Sequence, residues 1–332
     1  MVAALVLSLG VLLLTPLADP NLSATSARIS THGDALALAA ELLDADDAQI
    51  DPRCRSRVRE HGARTEHAVV LLHGYTNCPA QFDVVADAYV AAGASVVLPR
   101  LPGHGDRDRL GRSLSEVRAE DLVATVGLAL DIAAGLGERV TVVGLSGGGS
   151  LAGWLAAHRD EVAEVVLLAP LVAPRVLPRR AVAPVSRLAR VSPDLYLWWD
   201  GEQREALADP PYAYPRYSLR SIGAFLAVGR DAQTGQPART TRLRRVVVVT
   251  NPGDAAVSNA GVVVLGRRLA GLLAPEGTLV EYRVPEELGA GHDLIDPEGE
   301  NAAILAGLYA ELEPLLGLTT LVETLGRVRA AP

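Results

Sequence analysis

Short runs of β-branched and other apolar residues recur along the chain and are separated by stretches long enough to form helices. Runs of this kind are typical of strands that are buried on both faces of a sheet. They cover residues 68–72, 95–98, 139–143, 164–168, 245–250 and 278–282. The helical stretches cover residues 35–43, 79–92, 113–136, 147–158, 259–273 and 300–316. This alternation predicts an α/β fold with a mainly parallel sheet covered by helices on both faces.

The interval between the fourth and fifth apolar runs is too long for a single crossover helix. It exceeds 70 residues, is rich in proline and arginine, and contains seven of the thirteen aromatic residues of the chain. We interpret residues 175–243 as an inserted cap or lid that supplies apolar walls to a substrate pocket. Alternatively, the aromatic side chains build a small core within the insert itself. The candidate pocket residues are Trp198, Trp199, Tyr212, Tyr214, Tyr217 and Phe225.

The chain starts with an apolar segment. Residues 2–17 carry no charge, which is typical of the core of a signal peptide or of a short membrane anchor within residues 1–18. Positive charges before this core are missing, and the segment is shorter than the roughly 20 residues of a membrane-spanning helix. An apolar helix packed on the fold is therefore an alternative. We expect an exported or membrane-anchored, extracytoplasmic protein that associates with membranes through this segment, with a cytoplasmic location as the alternative.

The remaining chain divides at the insert. Residues 19–66 form an N-terminal arm, of which residues 44–66 are polar and are predicted to be irregular. Residues 67–174 and 244–332 are the two parts of the α/β core. The insert therefore separates two parts of one large domain.

Composition and charge exclude several classes of protein. Of the 332 residues, 49% are hydrophobic and 21% are charged, so the chain can bury a sizeable core. The formal net charge is −8, and the 31 basic residues are all arginines without a long basic run. A nucleic-acid partner is therefore disfavoured.

The chain has two cysteines, Cys54 in the N-terminal arm and Cys78 after the first predicted strand. An even number in an exported chain permits a disulfide, which would join the arm to a loop beside the site described below. Two unrelated buried thiols are the alternative. No CxxC motif or matching histidine pair accompanies them, so the sequence predicts no metal site.

The segment Gly144-Leu145-Ser146-Gly147-Gly148 follows one predicted strand and precedes a predicted helix. This is the context of a G-x-S-x-G turn, in which a strained serine is exposed at the N-terminus of a helix. There, the amide of Gly147 can donate to a developing oxyanion. Ser146 is therefore the candidate nucleophile.

A serine hydroxyl needs a base, and the base needs an orienting group. His292 lies between the last predicted strand and the last long helix, and Asp254 follows the strand 245–250. The order of serine, acid and histidine fits the G-x-S-x-G context. Asp293 and Asp296 lie too near His292 along the chain to come from a different strand end.

Two further loops follow predicted strands. In the segment His73-Gly74-Tyr75, the amide of Tyr75 is the candidate second oxyanion donor, and we expect His73 to form structural hydrogen bonds. His104 lies in a glycine-rich turn after residues 95–98, and we assign it a structural role as well.

Five segments of this chain together resemble the α/β-hydrolase superfamily, in its carboxylesterase and monoacylglycerol-lipase-like branch. They are HGYTNCPAQF, RLPGHG, GLSGGG, NPGDAAVS and GHDLIDP. The resemblance covers roughly residues 68–316 and implies an inserted cap. It implies catalytic roles for Ser146, Asp254 and His292, and an oxyanion hole formed by the amides of Tyr75 and Gly147.

The sequence thus predicts a serine hydrolase that cleaves carboxylic esters through an acyl-enzyme intermediate, without a metal or an organic cofactor. The expected partner is a small ester with a hydrophobic acyl group, or a substrate similar to a monoglyceride. One alternative uses the same triad on an amide, thioester or lactone, or for acyl transfer, because the triad does not define the leaving group. The other is a binding protein that keeps the fold and has slow turnover or none.

Overall fold

The computed structural model of the protein describes residues 19–23, 25–29, 31–201, 210–238 and 242–330. The predicted signal peptide or anchor in residues 1–18 lies outside these ranges. Within them, no helix is both long enough and apolar enough to cross a bilayer.

Strands in the described ranges form one large sheet and one small one. Their bounds are β1 (Arg57–Arg59), β2 (Thr65–Leu72), β3 (Ser95–Leu98), β4 (Gly137–Leu145), β5 (Val162–Leu168), β6 (Tyr196–Trp198), β7 (Arg216–Ser218), β8 (Arg245–Thr250) and β9 (Thr278–Arg283). The large sheet has seven strands in the order β1-β3-β2-β4-β5-β8-β9, and β6 pairs with β7. Only β1 runs antiparallel to its neighbour in the large sheet. The prediction of a mainly parallel α/β sheet is confirmed.

Helices cover both faces of the sheet. They are α1 (His32–Asp44), α2 (Asp83–Ala91), α3 (Ala119–Leu136), α4 (Gly147–His158), α5 (Arg179–Val191), α6 (Leu219–Thr234), α7 (Asn259–Ala270), α8 (Leu305–Leu316) and α9 (Leu321–Ala330). Short 3₁₀ turns lie at Pro52–Cys54, Pro79–Phe82, Ser113–Glu116 and Glu286–Leu288.

Alternate residues of β2 show how the two layers are built. Val69 and Leu71 pack with α2, α8 and α9, whereas Val70 and Leu72 pack on the opposite face with α3, α4 and α7. Successive side chains of a strand point to opposite faces, so a continuous apolar run fills both layers. All six predicted strands are present, and β9 at the other edge of the sheet is the one that is exposed or half-buried throughout.

The register of the central strands positions the site. Leu72 at the end of β2 lies opposite Gly144 of β4, and Leu145 lies opposite Leu168 of β5. Leu168 in turn lies opposite Val249 of β8. The loops that follow β2, β4, β5 and β8 therefore leave the sheet at the same carboxyl edge.

The prediction of an irregular segment over residues 44–66 is wrong in part. The segment contains β1, an edge strand of three half-buried residues, and the first two residues of β2. Arg57 and Arg59 of β1 form ion pairs with Asp83 and Asp87 of α2. The strand is polar because it lies at an edge, so it lacks the apolar run that marks the inner strands.

Between β5 and β8, the chain forms α5, the hairpin β6–β7 and α6. The Oγ of Ser186 in α5 donates to the carbonyl of Gly223 in α6 at 2.7 Å, where the two helices pack together. A Cβ at Gly223 would lie 2.9 Å from the Cβ of Ala189, so the absence of a side chain allows this close approach. Residues 202–209 of the predicted cap lie outside the described ranges.

Candidate active site

Ser146 lies at the turn between β4 and α4, with φ 53° and ψ −114°. Positive φ is unfavourable for a residue with a Cβ, so the surrounding structure must hold this conformation. The amide of Ser146 donates to the carbonyl of Leu168 at 2.9 Å, and its carbonyl accepts from the amide of Leu171 at 2.8 Å. These bonds fix the turn to the end of β5.

Glycines allow this turn to pack closely. A Cβ at Gly148 would lie 2.0 Å from the carbonyl oxygen of Leu72, and one at Gly144 would lie 2.3 Å from the carbonyl oxygen of Gly148. Real Cβ atoms do not approach a backbone oxygen so closely. The glycines around Ser146 are therefore required by the contact between α4 and the ends of β2 and β4.

The loop after β2 lies against this turn. A Cβ at Gly147 would lie 3.0 Å from the backbone nitrogen of Tyr75, and one at Gly74 would lie 3.7 Å from the Cβ of Ser146. The amides of Tyr75 and Gly147, which the sequence predicts as oxyanion donors, are thus brought next to each other beside Ser146.

Buried side chains hold the loop after β2 in place. Gln81 is 2% exposed, and its Oε1 accepts from the amide of Gly74 at 2.7 Å. His73 is fully buried, and its Nε2 accepts from the amide of Leu101 at 3.1 Å. Its Nδ1 must therefore carry the proton and donate to the carbonyl of Gly74 at 2.9 Å.

The two buried histidines near this loop are neutral. Burial lowers the pKa of His73 well below 6.5. Burial lowers the pKa of His104 to about 4, and its Nδ1 lies 2.8 Å from the carbonyl oxygen of Pro102. Both have the structural contacts that we expected of them.

Asp254 and His292 are paired at the same edge of the sheet. The Nδ1 of His292 donates to Oδ2 of Asp254 at 2.6 Å. Oδ1 of Asp254 accepts from the amides of Ala256 and Val257 at 2.7 and 2.9 Å. The carboxylate is fully buried, whereas the His292 side chain is 23% exposed. Since Nδ1 donates to the carboxylate, Nε2 is the basic nitrogen of the neutral ring.

Asp254 and His292 each favour the charged form of the other. Burial alone would lower the pKa of His292, but the hydrogen bond and charge of Asp254, with the charges of Asp293 and Glu300, raise it above 6.5. Burial alone would raise the pKa of Asp254, but the hydrogen bond and charge of His292, with the two loop amides, lower it below 3.8. This environment favours an imidazolium at His292.

Asp293 makes a contact that has no signature in the sequence. Its Oδ2 accepts from Nε2 of Gln81 at 2.7 Å, so Gln81 bridges Gly74 of the loop after β2 and the neighbour of His292. Burial and the charge of Asp296 raise the pKa of Asp293 to about 7. Asp293 and Asp296 are visible beside His292 in the sequence, but no local pattern marks Gln81 as the partner of Asp293.

Asp296 joins the same loop to the predicted cap. It is fully buried and accepts from the hydroxyl of Tyr212 at 2.6 Å and from Nδ2 of Asn77 at 3.0 Å. Asn77 directly precedes Cys78, which forms a disulfide with Cys54. The disulfide, Ile50, Ala80 and the ring of Tyr212 pack together. The bond thus joins the N-terminal arm to the loop that carries Tyr75.

A family model for the alpha/beta hydrolase family matches residues 69–306, which is most of the chain. The chain belongs to the alpha/beta hydrolase family. The matched range contains the turn at Ser146, the loop at Tyr75 and the pair of Asp254 and His292.

Two curated relatives of this hydrolase match shorter stretches. A thermostable monoacylglycerol lipase of Bacillus sp. (strain H-257) is 35% identical over 98 residues, 30% of this chain and 38% of the relative. A pyrethroid hydrolase of Sphingobium wenxiniae is 36% identical over 118 residues, 35% of this chain and 40% of the relative. The chain thus covers well under half of each relative's length.

Solved structures extend the likeness to the whole fold. A structure described with the metagenome-derived lipolytic enzymes LipS and LipT has a TM-score of 0.59 and 18% sequence identity, covering 81% of this chain and 99% of that chain. At this identity, the likeness shows the fold of the hydrolase.

The six aromatic residues predicted for the substrate pocket of this hydrolase fall into two groups. Phe225 is fully buried, with its ring centroid 5.0 Å from that of Tyr75, and a Cβ at Gly147 would lie 2.9 Å from its Cε1. The Nε1 of Trp199 donates to Oγ1 of Thr76 at 2.9 Å, and its ring lies 4.3 Å from that of Tyr217. These three lie near the loop of Tyr75.

The other three predicted pocket residues are placed differently. The hydroxyl of Tyr214 accepts from the amide of Asp106 at 2.8 Å, and its backbone amide donates to the carbonyl of Thr76 at 2.8 Å. Tyr212 binds Asp296 as described above. Trp198 is half-buried at the end of β6. Tyr212 and Tyr214 thus join residues 175–243 to the core through their hydroxyl groups.

Proposed function

We propose that this α/β hydrolase cleaves carboxylic esters, with Ser146 as the nucleophile, His292 as the general base and Asp254 as its orienting acid. The observation that carries the proposal is the 2.6 Å hydrogen bond between His292 and Asp254 at the sheet edge where Ser146 occupies its strained turn. The matched family range and the relatives named as a monoacylglycerol lipase and a pyrethroid hydrolase support it.

In the first step, the Oγ of Ser146 attacks the ester carbonyl while Nε2 of His292 takes the serine proton. The resulting imidazolium is stabilised by the buried carboxylate of Asp254, in keeping with the raised pKa of His292. His292 then gives the proton to the leaving alcohol, which departs from the tetrahedral intermediate. In the second step, a water molecule activated by His292 attacks the acyl-enzyme and releases the acid.

The amides of Tyr75 and Gly147 would stabilise the negative charge on the carbonyl oxygen. Their adjacency, inferred from the 3.0 Å approach of a Gly147 Cβ to the Tyr75 nitrogen, supports this role. One such donor contributes about 3 to 4 kcal/mol to transition-state stabilisation in sites of this kind. Gln81 and His73 would support this contribution by fixing the loop.

The substrate class that we propose is an ester with a hydrophobic acyl group, or one similar to a monoglyceride. The ring of Phe225 next to Gly147 supplies an apolar wall beside the proposed oxyanion hole. The name of the Bacillus relative agrees with this class. We also propose that residues 175–243 act as the cap over the site.

Labelling with a fluorophosphonate tests the nucleophile. We expect one adduct on Ser146, loss of that adduct in the Ser146→Ala variant, and a loss of kcat on p-nitrophenyl esters on the order of 10⁶-fold. Ser150→Ala is the matched control, because Ser150 lies in the same turn-helix segment and its hydroxyl donates to the carbonyl of Leu171. Hydrolysis of p-nitrophenyl esters by folded protein without an adduct on Ser146 would contradict the proposal.

A further inference from the structure

The side chain of Tyr75 extends from the loop after β2 into the segment between β5 and β8. Its amide is one of the proposed oxyanion donors, whereas its hydroxyl lies at the N-terminus of α6. There, the hydroxyl accepts from the amide of Ser218 at 3.0 Å and donates to the carbonyl of Ser218 at 2.9 Å. The Oγ of Ser221 lies 2.6 Å from the same hydroxyl. One side chain thus joins the amide beside Ser146 to the first turn of α6.

The first turn of α6 is arranged around this hydroxyl. Ser218 and Ser221 are fully buried, and Oγ of Ser218 caps the helix by accepting from the amide of Ser221 at 3.1 Å. The same Oγ donates to the carboxylate of Asp194 at 2.7 Å. A buried hydroxyl whose donor and acceptor positions are both bonded is held in one direction. The position of α6 therefore constrains the side chain of Tyr75.

A second set of contacts holds the residue that follows Tyr75. Thr76 has a φ of 67°, which is an outlier for a residue with a branched Cβ. Its carbonyl accepts from the amide of Tyr214 at 2.8 Å, and its Oγ1 accepts from Nε1 of Trp199 at 2.9 Å. A strained conformation persists only where the surrounding structure holds it. Two of the groups that hold it here belong to the segment between β5 and β8.

Helix α6 also packs against the second proposed donor. Phe225 of α6 is fully buried, and its ring centroid lies 5.0 Å from that of Tyr75. A Cβ at Gly147 would lie 2.9 Å from Cε1 of Phe225. The carboxylate of Asp254, in contrast, is bonded to His292 and to two amides of its own loop. Through Tyr75 and Gly147, α6 thus contacts both proposed oxyanion donors.

We propose that the first turn of α6 positions the oxyanion amide of Tyr75 through the Tyr75 hydroxyl, which makes this hydroxyl a positioning group in ester hydrolysis. The inference rests on the proposed function and gives the segment between β5 and β8 a role besides covering the site. Deleting the hydroxyl should let the amide move away from the oxyanion while the triad stays in place. Since the donor acts on charge that develops in the transition state, the loss should fall on kcat.

Tyr75→Phe tests this role because it removes the hydroxyl and keeps the ring. Complete loss of an oxyanion donor lowers kcat by about 10²- to 10³-fold, so a displaced donor should lower it by about tenfold. We expect KM for a p-nitrophenyl ester to change by less than about twofold. The matched control is Tyr89→Phe in α2, because Tyr89 is 1% exposed and its hydroxyl donates to the carbonyl of Leu316 at 2.6 Å. This variant should keep the parent kcat.

Inhibition by a phenylboronic acid separates positioning from a loss of folded enzyme. The boronic acid forms a tetrahedral adduct with the nucleophilic serine, so its binding depends on the oxyanion donors. We expect its Ki in Tyr75→Phe to rise about as much as kcat/KM falls, because a transition-state analogue reports transition-state binding. A smaller folded fraction would instead lower the number of sites that a fluorophosphonate titrates and would leave Ki unchanged.

Ser221→Ala provides a second test, which decides the matter if thermal unfolding shows that Tyr75→Phe does not fold. It removes one partner of the Tyr75 hydroxyl, so kcat should fall and Ki should rise by about threefold, the effect of one neutral hydrogen bond. Added to Tyr75→Phe, it should cause no further loss, because both changes break the same bond.

An unchanged Ki in a folded Tyr75→Phe or Ser221→Ala variant would overturn the inference, and so would an equal loss of kcat in Tyr89→Phe. In either case, labelling of the parent on Ser146 would leave the proposed ester hydrolysis intact. A parent that hydrolyses p-nitrophenyl esters without an adduct on Ser146 would refute the proposed function, and this inference with it.

Discussion

The carboxyl edge of the sheet and the segment between β5 and β8, which we propose to be a cap, are packed in different ways. At the edge, Gly148 and Gly144 let α4 pack against strand ends, and Asp254 has its carboxylate oxygens bonded to His292 and two amides. In the segment between β5 and β8, α5 turns Leu188 and other apolar side chains outward. The edge therefore holds one fixed geometry, whereas α5 leaves apolar side chains such as Leu188 exposed.

After Ser146 itself, Asp254 should have the largest effect on the activity of the edge. Asp254→Asn removes the carboxylate that orients His292, so we expect kcat on p-nitrophenyl esters to fall by about 10⁴-fold. Asp293→Asn is the matched control, because Asp293 adjoins His292 in sequence but is bonded to Gln81. Its loss of kcat should be far smaller. Equal losses in the two variants would show that the edge does not depend on one oriented acid.

The close packing of the edge predicts a large effect on stability. A Cβ at Gly148 would lie 2.0 Å from the Leu72 carbonyl, so Gly148→Ala should lower the free energy of unfolding by at least about 4 kcal/mol. A Cβ at Gly33 in α1 meets nothing within 4 Å, so Gly33→Ala should change it by at most about 1 kcal/mol, toward stability. Urea unfolding measures both. A loss of less than about 1 kcal/mol for Gly148→Ala would mean that the backbone of α4 or β2 can shift to accommodate the Cβ.

The disulfide joins the N-terminal arm to the loop after β2, at the carboxyl edge of the sheet. Its cysteines are 24 residues apart, which corresponds to about 3.5 kcal/mol of stabilisation in the chain-entropy account. We expect Cys54→Ser with Cys78→Ser to lose this amount in urea unfolding. Dithiothreitol should destabilise the parent and leave the variant unchanged, since the chain has no other cysteine. An effect of dithiothreitol on the variant would exclude the bond as its cause.

Gln81 tests whether the oxyanion loop and the His292 loop act as one unit. Gln81→Glu places a second carboxylate beside Asp293, whose folded-state pKa is already raised to about 7. A raised pKa favours the protonated form of the folded protein, so stability is lost as the pH rises from about 4 toward 7. We expect Gln81→Glu to cost about 2 kcal/mol at pH 8 and less at pH 5.

The exposed Gln49→Glu is the control for added negative charge, and it should change stability by less than about 0.5 kcal/mol at either pH. The Gln81 variant should also lower kcat more than it changes KM, because the oxyanion amides act on the transition state. The same cost at both pH values would argue against contact between the new carboxylate and Asp293.

The smallest effect concerns pH. The base must be neutral to accept the serine proton, and Asp254 raises the pKa of His292 above 6.5. We therefore expect kcat/KM for a neutral ester to rise with pH and to reach half of its plateau above pH 6.5. The charged pair also stabilises the fold below pH 6.5, and this contribution is lost as the pH rises through the folded-state pKa. A midpoint below 6.5 would contradict the electrostatic description.

The sequence was informative wherever local sterics or chain order determine the structure. The inner strands could be predicted because burial on both faces requires continuous apolar runs, as in β8. The pairing of Asp254 with His292 agrees with an expectation that rested on the order of motifs along the chain. The strained turn at Ser146 could be expected because only glycines fit around it.

Other features depend on tertiary contacts that have no local signature. Strand β1 is polar and half-buried at an edge, so it lacks the apolar run of an inner strand. The C-terminal helix α9 lies beyond the last helix that the sequence predicts. Nothing near Gln81 in the sequence indicates that its side chain binds Asp293, because the two residues are far apart along the chain. The sequence does not show which side of α5 faces outward, because that depends on the packing of the Ser186 side against α6.

The crystal structure of the protein carrying a phosphonate ester on Ser146 would test the proposed triad most directly. We predict that Nε2 of His292 lies within about 2.6 to 3.2 Å of the Ser146 Oγ or the leaving-group position. A phosphoryl oxygen should accept hydrogen bonds from the amides of Tyr75 and Gly147. An imidazole well beyond this reach, or an adduct oxygen pointing away from both amides, would contradict the proposed mechanism.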